Sequence, residues 1–132
     1  MIVPVPLMNK LIALAALSPD REVCGLLFGS AGQVESAVPT DNVADNPACA
    51  FEIDPAALIA AYRAMREGGP TLVGTFHSHP NGLAAPSQVD AENAAPDGRI
   101  WLIIAAGKVT TWRAVSDGQV HGRFDPVPIL PC

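Results

Sequence analysis

What this chain lacks narrows what it can be. Lys and Arg number only 8 against 13 Asp and Glu, giving a net charge of −5. They are scattered and form no run, so the clustered cations that contact phosphates are missing and nucleic acid is excluded as the main partner. Only three cysteines are present, Cys24, Cys49 and Cys132, with no Cys-x-x-Cys pair. A sparse, odd count fits a reducing compartment, with each thiol a small buried or incidental group. No apolar run is long enough to cross a bilayer. The candidate, Leu7 to Leu17, contains Lys10, follows Pro4 and Pro6, and has no basic residue before it. It reads as an amphipathic helix rather than a signal peptide, so a soluble, cytoplasmic protein is expected. Internal repeats, low-complexity linkers and a second domain are also missing.

Charged residues make up 16 %, so the solvated surface is small or partly covered by a partner. Together with the apolar tail, this hints at self-association, as a homodimer. Apolar residues make up 49 % of 132, enough for a core without disulfides. The expectation is one domain over residues 1–132, with a core from about 5 to 124 and an extended Pro-rich tail, DPVPILPC.

Pro6 suits a helix start, and Leu7, Leu11, Leu14 and Ala15 recur at helical spacing. Strands are expected over Val23–Gly29, Gln33–Val38 and Leu72–Phe76, and over Ile100–Ala105, Val109–Val115 and Gln119–Phe124, with a further short one at Phe51–Ile53. Asp54-Pro55 caps a helix over Ala56–Glu67 that ends at Gly68-Gly69-Pro70. Ser87–Ala95 is a short helix. This order predicts an α/β (α+β) fold, a mixed sheet with helices packed against it.

The stretch FHSHPNGLAAPSQVD, Phe76 to Asp90, carries the chemistry. Alternate strand residues point to one face, so His77 and His79 aim at one point while Ser78 faces away. Pro80 stops the strand and Asn81-Gly82 favours a reversal. The chain can then return with Ser87 and Asp90 at a helix start. Two His and one carboxylate make a three-ligand set with an open position, the mark of a catalytic rather than a structural zinc. Ser87-x-x-Asp90 is equally the pattern of a helix cap. The cap does not exclude a metal, because it would orient Asp90.

A zinc hydrolase also needs a proton shuttle. Glu22, Glu35, Glu52, Glu67 and Glu92 are candidates. Glu22 directly precedes the buried strand from Val23, where a carboxylate could face a cleft or simply sit solvated at a strand end. Spacing does not choose.

Glu22 followed by Val-Cys-Gly-Leu-Leu-Phe-Gly, then His77-Ser78-His79-Pro80, then Ser87-x-x-Asp90, resembles the JAMM/MPN-type (JAB-domain) zinc metallopeptidases, and their short stand-alone prokaryotic branch in particular. The similarity extends to FEIDP before the second helix and to the Ile100–Ala105 strand. The resemblance implies a cytidine-deaminase-like layered fold. It implies one Zn2+ held by His77, His79 and Asp90, with a water as fourth ligand. Glu22 would take that water's proton and pass it to the leaving amine. Ser87 would donate to the water or to the developing oxyanion. The implied partner is a small ubiquitin-like or sulfur-carrier protein with a Gly-Gly tail, cut after its last glycine. Only Ala91 to Arg99 separates Asp90 from the next strand, which leaves little room for a ubiquitin-binding insertion and favours a small carrier.

Other readings compete. Two His and a carboxylate also suit non-haem Fe(II) oxygenases, although Glu22 and Ser87 have no part in that chemistry. A zinc base deaminase lacks its Pro-Cys-x-x-Cys. A non-catalytic module is the third alternative, opposed by an intact ligand set. His121 is expected to be exposed, Cys24 to be buried, and Trp101 and Trp112 to be core or interface residues.

Overall fold

The computed structural model describes residues 1–131; Cys132 lies outside the described residues. Its elements in chain order are β1 (Ile2–Val3), α1 (Val5–Ala16), β2 (Cys24–Ser30), β3 (Gln33–Thr40), α2 (Pro55–Arg66), β4 (Thr71–Ser78), α3 (Gln88–Asn93), β5 (Ile100–Ala105), β6 (Lys108–Gly118), β7 (Gly122–Val127) and β8 (Leu130–Pro131). The strands form one sheet in the order β7-β6-β5-β4-β2-β3-β1-β8. Pairs β4–β5, β1–β3 and β1–β8 are parallel and the others antiparallel. The expected mixed sheet flanked by helices is present.

The sheet buries both faces. On one, α1 lays Leu11 onto Leu27, Val34, Phe76, Leu102 and Ile104. On the other, α2 packs Ala61, Leu58 and Tyr62 over Leu26, Phe28 and Leu72. Strand alternation explains most of this division. Leu72 would share the Phe76 face by parity, but the β2–β4 register shifts between Leu27 and Phe28 and returns Leu72 to the α2 side. Close approach needs glycine at Gly25, where a Cβ would meet the Phe76 ring at 2.4 Å and the Val38 carbonyl oxygen at 2.3 Å.

Two expectations need correction and a third gains detail. Phe51–Ile53 is not a strand; only an isolated bridge joins Ile53 to Asn42. The last meander strand is β7, not Gln119–Phe124. β6 runs on through Asp117, whose φ of 55° makes the chain bulge rather than turn, and the reversal falls at His121 and Gly122, with φ of 51° and 68°. The tail is not merely extended: Leu130 and Pro131 pair with Ile2 and Val3, in two-residue strands too short to leave a pattern. Both outer strands carry proline, Pro126 in β7 and Pro131 in β8.

Candidate metal centre

β4 lies mid-sheet and ends at the site. His77 pairs with Cys24 on β2 and Ile103 on β5, which buries its ring completely. His79 lies just past the strand, with its N–H donating to Ile104 O at 2.9 Å. Pro80 ends the ladder. Gly82, at φ 77°, turns the chain, and the Leu83 N–H closes an Asx turn on Asn81 Oδ1 at 2.9 Å. That turn presents the Leu83 carbonyl, which accepts from His79 Nδ1 at 2.7 Å. The Nδ1 proton is thereby fixed, and the lone pair of a neutral His79 sits on Nε2.

The cap expected at Ser87 is present. Ser87 Oγ accepts from the Asp90 N–H at 3.0 Å, and Asp90 Oδ2 accepts from the Ser87 N–H at 2.9 Å. This capping box locks the Asp90 carboxylate and turns Oδ2 inward. Oδ2 lies 3.1 Å from both His77 Nε2 and His79 Nε2, which are 3.0 Å from each other. Strand end, turn and cap therefore act together as a scaffold for three converging donor atoms.

Glu22 completes the group. Its carboxylate lies within 4.8 Å of the donor atoms of His77, His79 and Asp90. Glu22 is buried, and its Oε1 has no hydrogen-bond partner. Glu35, Glu52, Glu67 and Glu92 are all exposed and outside this cluster.

Burial and close-packed titratable groups set the electrostatics of the cluster. Burial pushes the Glu22 carboxyl up to about 7, with the Asp90 charge adding to the rise and His79 opposing it. Burial would also raise Asp90, but hydrogen bonds from His77, His79 and the Ser87 N–H hold it well below the usual carboxylate range. Burial lowers His77. In His79 burial pulls the same way but is outweighed by Asp90, the Leu83 carbonyl and Glu22, so His79 rises. Lone-pair atoms packed 3.0–3.1 Å apart repel unless a proton or a cation lies among them. Ligands of one tetrahedral zinc stand about 3.3 Å apart, given bonds of about 2.0–2.1 Å. The donor set, its spacing and the unpartnered Glu22 oxygen all fit such an ion.

The family pattern described as prokaryotic homologues of the JAB domain matches residues 4–116. The chain belongs to the prokaryotic JAB-domain family. JAB-domain proteins are in general zinc-dependent. The chain is 38 % identical over 106 residues to a desampylase of Haloferax volcanii, covering 78 % of this chain and 76 % of the relative. It is 36 % identical over 92 residues to a probable TtuB-protein conjugate cleaving protease of Thermus thermophilus, covering 70 % and 62 %. A CysO-cysteine peptidase of Mycobacterium tuberculosis is 28 % identical over 106 residues, covering 78 % and 72 %. Among solved structures, a Desulfitobacterium hafniense protein superposes with a TM-score of 0.82 at 29 % identity, covering 100 % of this chain and 93 % of that one. A JAB1/MPN domain protein from Archaeoglobus fulgidus gives 0.62 at 16 % identity, covering 98 % and 97 %, a likeness of fold alone.

This JAB-domain site has two further supports. Phe51 stacks on the His77 ring, with centroids 4.2 Å apart and planes 19° apart, and Trp101 meets the same ring edge-on at 5.6 Å. Phe51 follows an irregular loop, so no periodicity flags it. Ser78 faces away from His77 and His79 as expected, yet its hydroxyl oxygen accepts from the Val23 N–H at 2.9 Å and holds the segment carrying Glu22 beside β4. His121 is exposed and Cys24 is buried, both as expected. Among the clefts around the site are two of unlike size. One, of about 150 Å³, is walled by Glu22, Cys49, His79, Asn81 and Ser87. The other, of about 620 Å³, has Phe51, Ile53, Leu58, Tyr62 and Trp101 in its apolar wall.

Proposed function

We propose that this chain is a zinc-dependent isopeptidase or amidase that hydrolyses the bond after the C-terminal glycine of a small ubiquitin-like, sulfur-carrier-type protein. The observation that carries the reading is the convergence of His77, His79 and Asp90 beside a buried, unpartnered Glu22 carboxylate. Relatives named for conjugate cleavage and peptidase activity support the reaction class. The smaller cleft, at about 150 Å³, has the size for a tail without side chains.

His77 Nε2, His79 Nε2 and Asp90 Oδ2 would hold the zinc, which supplies Lewis acidity to the scissile carbonyl and to water. The chain's own residues do the rest. The Leu83 carbonyl keeps His79 in the ligating tautomer, and the capping box keeps Asp90 aimed. Glu22 Oε1 accepts a proton from the attacking water as its oxygen bonds to the carbonyl carbon. It returns that proton to the amine nitrogen as the C–N bond breaks. The Ser87 oxygen already accepts from the Asp90 N–H, so the hydroxyl proton is free to point into the cleft and donate to the oxyanion.

The test is to purify the protein, measure bound metal, and incubate it with a ubiquitin-like carrier extended beyond its Gly-Gly. The reading requires about one zinc per chain and cleavage after the last glycine. Iron as the native metal, or zinc with no cleavage of any such carrier, would overturn it.

A further inference from the structure

Glu22 does not belong to a strand; β2 begins at Cys24. Both of its backbone groups are held by the irregular loop between β3 and α2. Its N–H donates to Pro47 O at 2.7 Å, and its carbonyl accepts from Asn42 Nδ2 at 2.9 Å. The same Nδ2 donates to Ala50 O at 3.0 Å, while Asn42 Oδ1 accepts from the N–H groups of Ala44 at 3.0 Å and Glu52 at 3.1 Å. A primary amide has two N–H donors and two acceptor lone pairs, and here all four are used.

We propose that Asn42 is a positioning residue that sets the Glu22 carboxylate and the Phe51 ring together against the ligand cluster. The inference rests on the reading of Glu22 as the proton shuttle. Glu22 Oε1 has no partner, so the carboxylate takes its place from the backbone rather than from a bond at its own end. Asn42 fixes that backbone. Its bonds to Ala50 and Glu52 also bracket Phe51, the residue stacked on His77. Asp at this position keeps both acceptors and loses both donors. Ser is too short to span the four groups.

A carboxylate about 1 Å out of place can cost a hundredfold in rate. Both Asn42→Asp and Asn42→Ala are therefore expected to lower kcat by about 10–100-fold on the extended carrier, with KM within about threefold and zinc still near one per chain. Asn42→Asp keeps the loop's own closure at Ala44 and Glu52, so it serves if the alanine variant fails to fold. Amide hydrogen exchange supplies a readout that needs no substrate and therefore judges Asn42 even if carrier cleavage fails. In metal-free Asn42→Asp the Glu22 amide should exchange at least about tenfold faster, while Leu27 in the core keeps its protection. Unchanged kcat in a folded, zinc-loaded variant would overturn the proposal. So would unchanged exchange at Glu22, or a loss explained by KM alone.

Discussion

His79 and Leu83 are bound by a 2.7 Å hydrogen bond from ring Nδ1 to backbone carbonyl, and that carbonyl is aimed by the Asx turn on Asn81. Partners that orient a ligating His typically carry 10–100-fold of metal affinity. Asn81 acts one step behind Leu83. Asn81→Ala should weaken zinc binding about tenfold, measured by chelator competition, while the thermal transition of the metal-free protein moves little.

Glu22→Gln is nearly isosteric and leaves His77, His79 and Asp90 untouched. Loss of a general base and acid costs about 10²–10⁴-fold. Cleavage of an extended carrier should fall by that order, with zinc still near one per chain by metal analysis. Retained cleavage would mean that another group moves the proton.

The same variant gives a pH signature in the metal-free protein. The folded-state pKa of Glu22 is raised from 4.5 to about 7, so folding favours the protonated carboxyl. Stability from this group is full below about pH 4.5 and is lost as pH rises through 7. Wild type and Glu22→Gln should therefore match at low pH. Above pH 7 the variant should be the more stable, by about 1–2 kcal/mol because water reaches part of the site. Paired denaturant titrations across pH read the difference directly.

Under the proposed function Ser87 has two separable duties. Ser87→Ala removes a cap worth about 0.5–2 kcal/mol and an oxyanion donor worth about 10²–10³ in kcat. Ser87→Thr keeps both hydroxyl functions and should recover most of each. Chemical denaturation and steady-state kinetics on the two variants distinguish the duties. Stability restored without rate would leave Ser87 as a cap only.

The legible part of the site was the part built from short-range geometry. His77 and His79 share a face because a strand repeats every two residues, and Ser87 with Asp90 follow helix-cap spacing. Glu22 was one of five glutamates by spacing and stood out only through the JAB-domain resemblance, because what brings it to the cluster is a loop folded back through Asn42 and Pro47. Phe51 was missed for the same reason: its role exists only across chain-distant contacts. In the fold, the central apolar strands were readable. β1 and β8 have no pattern of their own, and the β6–β7 reversal turns on His121 in a left-handed conformation that its residue type does not announce.

The placement of Pro126 and Pro131 in the two outermost strands has a consequence for behaviour at high concentration. An open sheet invites fibril growth and strand exchange at its flanks, where unpaired backbone donors wait for another chain. Each flank here has lost one of those donors to a ring nitrogen. Assembly of copies by extending the sheet is thereby discouraged at both flanks.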